Sequence, residues 1–185
     1  MVRLKIGLSQ RIFYYKDRAY DSIEHGWYSW LKEHTLFFIP NKLEQDFIKL
    51  ADDLDAFIIT GGDADPIRVA VELNLATIMA AQGKPVVGIC HGCFLITRVF
   101  NGRLDDIDNH MDTEHIVIYN NQQYNVNSHH TQCITHAPPG VTVLATDLQG
   151  HCEAWIKECV GAVVWHPERM KKPWLPEEIK NLLKG

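Results

Sequence analysis

A cysteine between two glycines, in the stretch Gly88-Ile89-Cys90-His91-Gly92, is the strongest chemical signal in the sequence. Apolar residues flank it, so a strand is expected to turn sharply into a helix here. That pattern is typical of a nucleophile elbow with Cys90 in place of serine. A helix N-terminus beside the thiol predicts a lowered thiol pKa, and the backbone N–H of His91 is placed to stabilise an oxyanion. The alternative is a buried structural cysteine in a tight turn.

A second stretch, Val163-Val164-Trp165-His166-Pro167-Glu168, offers the base that a cysteine nucleophile needs. His166 follows an apolar strand, and residues two apart in an extended segment point the same way, so Glu168 is expected to orient His166. The alternative is a surface loop. A third stretch, Gly61-Gly62, also ends an apolar strand and would let backbone N–H groups approach a ligand, although an ordinary turn is an alternative.

Other uses of the same residue types remain open. Cys90 and Cys93 have the C-x-x-C spacing of a thiol–disulfide oxidoreductase, although the glycines and the distant His-Pro-Glu fit an elbow better. A group of possible metal ligands consists of His129, His130, Cys133 and His136. Adjacent side chains on a strand point to opposite faces, which argues against one metal site. A non-enzymatic binding module is the third alternative.

These candidate residues follow strands in a chain that alternates strands and helices. Strands are predicted at 4–9, 36–39, 56–60 and 85–89, and helices at 17–33, 43–54, 67–82 and 92–100. The uniformly apolar strands indicate a parallel sheet covered on both faces, with ligands beyond its carboxyl ends. Shorter strands at 116–119, 124–127, 141–145, 153–157 and 162–165, some of them antiparallel edge strands, precede a last helix at 176–183.

Length and composition exclude several classes of protein. The 185 residues predict one domain over 1–185, and 46% hydrophobic with 22% charged residues excludes a disordered chain. A net charge of −5 without a basic run argues against nucleic acid as a partner. No apolar stretch has bilayer length and no signal peptide is recognised, so no membrane association and a cytoplasmic location are expected. The five cysteines are expected to be thiols.

Four motifs together resemble the class I glutamine amidotransferase superfamily, and within it the γ-glutamyl hydrolase-like arm. In chain order they are Gly61-Gly62, Gly88-Ile89-Cys90-His91-Gly92, Val126-Asn127-Ser128-His129-His130-Thr131-Gln132 and Trp165-His166-Pro167-Glu168. The resemblance covers essentially the whole chain. Each motif is modest alone, and the four in this order are specific. Arg68 and Glu72 also match an Arg and a Glu of the hydrolase-like arm.

The resemblance implies a flavodoxin-like fold and a triad of Cys90 as nucleophile, His166 as general acid/base and Glu168 as its partner. It places the oxyanion hole at backbone N–H groups of His91, Gly61 and Gly62. The implied substrate-binding residues are Phe94, Ser128, His129, Arg68 and Arg169. The implied reaction is hydrolysis of a γ-glutamyl amide through a thioester, without a metal or organic cofactor. A small-molecule γ-glutamyl substrate is expected, and a glutaminase subunit would require a separate synthetase as partner.

Two departures and one narrower resemblance bear on the substrate. The family usually has Gln where this chain has Phe94, which bears against free glutamine, and the loop after Gly62 is short. The stretches 6–11, 165–169 and 173–174 resemble a bacterial subgroup that hydrolyses γ-glutamyl-CDP-amidate for surface-polysaccharide phosphoramidate synthesis. The cations expected to meet its diphosphate are Arg11, Arg68, Arg169, Lys171 and Lys172. Oligomeric state is not specified by any motif.

Overall fold

The structure, a computed structural model, describes residues 2–184 and contains a sheet of 11 strands together with a separate two-stranded sheet. In chain order the elements are β1 (Lys5–Ser9), β2 (Arg11–Tyr15), β3 (Arg18–Ser22), α1 (Gly26–Trp30), β4 (Thr35–Ile39), α2 (Phe47–Asp53), β5 (Ala56–Ile59), α3 (Pro66–Ala81), β6 (Val86–Ile89), α4 (His91–Val99), β7 (Arg103–Asp106), β8 (Thr113–Tyr119), β9 (Gln122–Ser128), β10 (Gln132–His136), β11 (Thr142–Asp147), β12 (Cys152–Lys157), β13 (Val160–Val163) and α5 (Glu177–Leu182). A short 3₁₀ turn covers Pro167–Arg169.

The parallel half of the large sheet has the strand order β4-β1-β5-β6-β13, and all four pairings are parallel. Every residue of β5, β6 and β13 is buried, which explains why these strands are apolar without alternation. The helix that follows β5 is well specified, because Asp65 caps α3 by accepting from the Ile67 N–H at 2.9 Å and Pro66 takes its first turn. The predicted parallel sheet is confirmed.

Two glycines on neighbouring strands show that helices cover both faces of the sheet. A Cβ on Gly88 of β6 would touch the backbone of Gly92 and Cys93 in α4, whereas one on Gly161 of β13 would touch Ile179 in α5. Gly88 pairs with Ala162, so Gly161 points to the opposite face from Gly88. The helices α4 and α5 therefore lie on opposite faces, and the predicted α/β flavodoxin-like fold is confirmed.

The second half of the sheet is antiparallel and continues from β13 through β12, β11, β8 and β9. Four predicted strands correspond to β8, β9, β11 and β12, with shifted ends. The strands β7 and β10 were not predicted; they pair with each other, and β10 also pairs with β12. The segment after β9 reaches the carboxyl end of β13, where the ring of His129 lies beside that of His166.

The predicted helix at 17–33 is wrong over most of its length. Residues 18–22 form β3, which pairs with β2 in the two-stranded sheet, and only Gly26–Trp30 are helical. Tyr15 pairs with Arg18 across a two-residue turn in which Lys16 has a φ of 55°. The large side chains at helical spacing therefore belong to two elements: Tyr20 is exposed on the hairpin, and Trp27 is buried in α1.

Two buried tryptophans of the core have hydrogen-bonded indole N–H groups. The Trp155 Nε1–H donates to Thr97 Oγ1 at 2.9 Å, and the Trp165 Nε1–H donates to the Trp174 carbonyl at 3.0 Å. Trp165 and Trp174 stack with ring centroids 5.1 Å apart, which fixes the chain just before His166. Among the described residues, no helix has the length and apolar character needed to span a bilayer.

Candidate active site

Cys90 lies at the strained junction between β6 and α4, as the glycine pattern predicts. Its φ is 50° and its ψ is −103°, a conformation that non-glycine residues rarely adopt. Close packing explains both glycines, because a Cβ on Gly92 would collide with the Ile59 carbonyl of β5 and one on Gly88 would lie 2.6 Å from the Gly92 carbonyl oxygen. The Cys90 N–H donates to the Val163 carbonyl at 3.0 Å, which fixes the turn against β13.

The predicted lowering of the Cys90 thiol pKa is wrong. Burial raises the pKa of Cys90 to about 11, and this effect outweighs the hydrogen bond from the His91 backbone N–H, which lowers the pKa. The negative charge of Glu168 raises it further, whereas Arg169 and Arg11 lower it. The resting sulfur is therefore a thiol, and a base must remove its proton before it can act as a nucleophile.

His166 and Glu168 form a buried pair at the carboxyl end of β13. His166 Nδ1 lies 2.6 Å from Glu168 Oε1, and both side chains are almost fully buried. Glu168 lies in the 3₁₀ turn, so the expected extended backbone is not what brings the two side chains together. Burial lowers the pKa of His166, although the hydrogen bond and charge of Glu168 raise it. His166 is therefore neutral near pH 7 and available as a base.

Two further residues fix the position of His166. Asn127 of β9 donates from Nδ2 to the His166 carbonyl and accepts from the His166 N–H at Oδ1, both at 2.8 Å. Gly61 packs against the imidazole, since a Cβ at Gly61 would collide with His166 Cε1. Because β5, β6 and β13 are adjacent, the segments that follow them bring Gly61, Cys90 and His166 to the same edge of the sheet.

A cavity of about 320 Å³ opens beside Cys90. Of the predicted residues, it is lined by Gly62, Cys90, His91, Phe94 and His129. The ring of His129 lies 5.5 Å from that of His166, measured between centroids, which connects the cavity wall to the buried pair.

Three predicted substrate-binding residues lie elsewhere. Arg68 is fully buried and donates to Glu72 at 2.7 Å and to the Thr60 and Asp63 carbonyls at 2.6 and 3.2 Å, so its guanidinium has no free face for a substrate. Ser128 is also fully buried. Its hydroxyl donates to the His110 carbonyl at 2.6 Å. We therefore correct both positions: their side chains support the cavity wall from behind.

Arg169, the third of these residues, is engaged by an acid that sequence reasoning missed. Its Nε and Nη2 donate to the two carboxylate oxygens of Glu24 at 2.8–3.1 Å. Glu24 also lies 3.9 Å from Arg11, whose Nε–H donates to the Gly61 carbonyl at 2.9 Å. The two arginines influence the charge near Cys90 and do not line the cavity; Lys171 and Lys172 are exposed.

Sequence reasoning also missed Arg98, the arginine that does line the cavity. Arg98 is exposed and donates to Gln132 Oε1 at 3.1 Å. A signal for it was present, because Arg98 lies four residues after Phe94 on α4 and residues at this spacing share a helix face. The cavity therefore presents a cation within reach of a bound ligand.

The geometry gives less support to the redox and metal-binding alternatives named from the sequence. Cys93 is fully buried, so a redox partner cannot reach its sulfur. The four possible metal ligands named from the sequence do not converge: His129 bonds Asp112, Cys133 donates to the Asp105 carbonyl, and His136 is exposed. His130 is the exception, because it lies among other polar side chains and burial lowers its pKa to about 4.

Comparisons with known proteins identify the family of the chain. The family model described as Glutamine amidotransferase class-I matches residues 18–184, and the chain belongs to this family. The glutamine amidotransferase-like protein YvdE of Lactococcus lactis is 29% identical over 178 residues, covering 73% of this chain and 75% of that protein. The gamma-glutamyl-CDP-amidate hydrolase of Campylobacter jejuni is 25% identical over 142 residues, covering 71% and 70%.

Solved structures share the fold at low sequence identity. A structure described as a GMP synthase subunit from Thermoplasma acidophilum has a TM-score of 0.72 and 16% identity, covering 98% of this chain and 92% of its own. A glutamine amidotransferase from Thermotoga maritima has a TM-score of 0.69 and 13% identity, covering 91% and 77%. At these identities the likeness concerns the fold alone.

Proposed function

We propose that the chain is a hydrolase of γ-glutamyl amide bonds and that Cys90, His166 and Glu168 are its catalytic triad. The observation that carries the proposal is the buried His166–Glu168 pair at the same sheet edge as the strained Cys90 turn. Membership in the class I glutamine amidotransferase family supports amide hydrolysis as the reaction class.

The pKa shifts of Cys90 and His166 indicate the order of proton transfers in the proposed reaction. Cys90 begins as a thiol and His166 as a neutral imidazole, so His166 takes the thiol proton as the sulfur attacks the γ-carbonyl carbon. The protonated His166 is stabilised by Glu168 and then donates this proton to the leaving amine. A water deprotonated by His166 next attacks the γ-glutamyl thioester, which releases glutamate and restores the thiol.

Backbone N–H groups supply the proposed oxyanion stabilisation. We assign this role to His91, at the first turn of α4, and to Gly61 and Gly62 after β5. Arg68 keeps the glycine loop in place through its bonds to the carbonyls on either side of Gly62. Phe94 and His129 form the wall that we expect to face the glutamyl group.

The leaving group that we favour is a nucleoside diphosphate amide, as in γ-glutamyl-CDP-amidate. The relative with that activity is 25% identical, and Arg98 provides a cation at the cavity wall for a phosphate. This product would serve surface-polysaccharide phosphoramidate synthesis. We place the protein in the cytoplasm, where the five thiols would stay reduced.

The test measures glutamate release from glutamine, a γ-glutamyl peptide and γ-glutamyl-CDP-amidate, each beside the Cys90→Ala variant. Cys90-dependent turnover of the nucleotide conjugate alone supports the full proposal. Preference for glutamine supports a glutaminase subunit that needs a synthetase, and it contradicts the proposed leaving group. If none of the three substrates shows Cys90-dependent turnover, the hydrolase assignment is contradicted.

A matched pair of variants tests the phosphate contact. Arg98→Ala is expected to raise KM for the nucleotide conjugate roughly tenfold to hundredfold, the range for a hydrogen bond to a charged group, and to leave KM for a γ-glutamyl peptide unchanged. Arg103, an exposed arginine on β7 that does not line the cavity, is the control. Equal effects of Arg98→Ala and Arg103→Ala would contradict a specific phosphate contact.

A further inference from the structure

A second group of reactive side chains extends inward from the cavity wall, outside the proposed triad. His115 of β8, His130 after β9 and Glu153 of β12 place one possible ligand atom each within 4.8 Å of one another. His130 and Glu153 are 4% and 1% exposed, and the His115 side chain is 13% exposed. Such a concentration of buried imidazole and carboxylate groups requires a chemical explanation.

The hydrogen bonds at His130 leave one lone pair without a proton. His130 Nδ1 lies 2.7 Å from the Gln132 carbonyl, so this nitrogen carries the proton of the neutral ring. Its Nε2 faces Ser128 Oγ at 3.0 Å, but the Ser128 hydroxyl donates to the His110 carbonyl at 2.6 Å. The Ser128 hydroxyl therefore has one proton and two possible acceptors, and it donates that proton in the shorter bond, to the His110 carbonyl.

His115 has a similar deficit. Its Nε2 lies 3.2 Å from Glu153 Oε2, and its buried Nδ1 has no hydrogen-bond partner within residues 2–184. The ring of His110 packs 5.1 Å from that of His115 and 5.3 Å from that of His130, measured between centroids. His115 and His130 thus each have a buried ring nitrogen to which no described group donates a proton, and an ion is one explanation for such a nitrogen.

We propose that His115, His130 and Glu153 form a binding site for a transition-metal ion of the Zn²⁺ class. Two imidazoles and one carboxylate are a ligand set that zinc uses, and imidazole also suits nickel and cobalt. The bond from His130 Nδ1–H to a backbone carbonyl is the arrangement that orients a metal-binding histidine. Zn–ligand distances of about 2.1 Å separate tetrahedral ligands by roughly 3.4 Å, so the side chains need to shift by about 1 Å.

An ion bound here would lie next to the substrate cavity and would take no part in the proposed reaction. His130 lines the cavity together with Cys90, and its ring contacts Phe94 with centroids 5.8 Å apart. The three ligands belong to separate segments of the antiparallel half, so a bound ion would tie these segments together. Its role would be to hold the cavity wall in place.

Calorimetric titration with Zn²⁺ tests the site, and it is done in the Cys90→Ala background so that Cys90 and His166 cannot bind the ion together. We expect one bound equivalent, and we expect His115→Ala and Glu153→Gln each to weaken binding at least about tenfold. The control is His136→Ala, an exposed histidine on β10, which should bind zinc as the parent does. No binding, or equal effects of His136→Ala and His115→Ala, would overturn the proposal.

A crystallographic measurement on the wild-type chain covers the case in which the His115 and Glu153 variants fail to fold. Crystals of the wild-type chain soaked in Zn²⁺ are expected to give an anomalous difference peak between His115, His130 and Glu153. A map with no peak there, including one whose zinc lies only at Cys90 or on the surface, would overturn the proposal. Circular dichroism of the metal-free variants shows whether the calorimetric comparison is valid.

Discussion

Arg68→Met gives the sharpest test of the correction that Arg68 supports the glycine loop. The substitution keeps an unbranched side chain and removes the donors that bond Glu72 and the Thr60 and Asp63 carbonyls. Glu72 is fully buried, and its other oxygen lies 2.8 Å from His91 Nε2. Breaking a buried ion pair from one side destabilises a protein by roughly 3–5 kcal/mol, because it leaves an uncompensated charge.

Equilibrium unfolding in urea measures this loss directly. At about 2–4 °C per kcal/mol for a chain of this size, the expected loss lowers the melting temperature by roughly 10 °C. Adding Glu72→Gln to Arg68→Met removes the stranded charge and keeps a partner for His91, so the double variant should recover about 1–3 kcal/mol. Arg98→Met, at an exposed position, should change stability by no more than about 0.5 kcal/mol.

Three results would contradict a structural role for the Arg68–Glu72 pair. A loss below about 1 kcal/mol in Arg68→Met would mean that the buried network contributes little. Further destabilisation on adding Glu72→Gln would mean that the stranded carboxylate is not the cause. A raised KM with unchanged stability would instead restore Arg68 as a substrate-binding residue.

Four other outcomes are expected. Gly61→Ala should lower kcat by about 100-fold with a smaller effect on KM, in steady-state assays, because its methyl group displaces His166. Asn127→Asp, which replaces a donor to the His166 carbonyl by an acceptor, should lower kcat with nearly unchanged substrate binding. Phe94→Gln should raise glutamine turnover relative to the nucleotide conjugate in a competition assay. Alkylation of Cys90 by iodoacetamide should rise about tenfold per pH unit from pH 7 to 10, because its pKa is about 11; a plateau above pH 7 would contradict the raised pKa.

The nucleophile turn was predictable because the residues of its motif are close together in the sequence. Gly88 is required by contacts with Gly92 and Cys93 within the strand-to-helix turn, whereas Gly92 packs against Ile59 of β5 but still stands at the fixed spacing of the motif. The pairing of His166 with Glu168 was also anticipated, although the 3₁₀ turn and not an extended segment brings them together. Short sequence separation made both features visible.

Features that depend on backbone partners, on burial or on residues far apart in the sequence were not predictable. Arg68 looked like a free cation because its partners are mostly backbone carbonyls of the preceding loop, which no residue pattern marks. The sequence showed Cys90 beside a helix N-terminus but not its burial, and burial determines the direction of its pKa shift. Neither the pairing of Arg169 with Glu24 nor that of His115 with Glu153 follows from spacing.

The hairpin of β2 and β3 was missed for a different reason. Tyr20, Ile23 and Trp27 recur at helical spacing by coincidence, and the tight turn at Lys16 and Asp17 contains only one of the usual turn-forming residues, Asp17. The element matters to the site because Arg11 of β2 contacts the Gly61 carbonyl.

Acid-quench mass spectrometry during turnover of a γ-glutamyl conjugate tests directly whether Cys90 forms the covalent intermediate. If Cys90 is the nucleophile, the wild-type chain gains the mass of one glutamyl group, peptide mapping places it on Cys90, and Cys90→Ala neither gains this mass nor releases glutamate. Glutamate release that persists in Cys90→Ala, or a glutamyl group found on another residue, would contradict the assignment of Cys90 as the nucleophile.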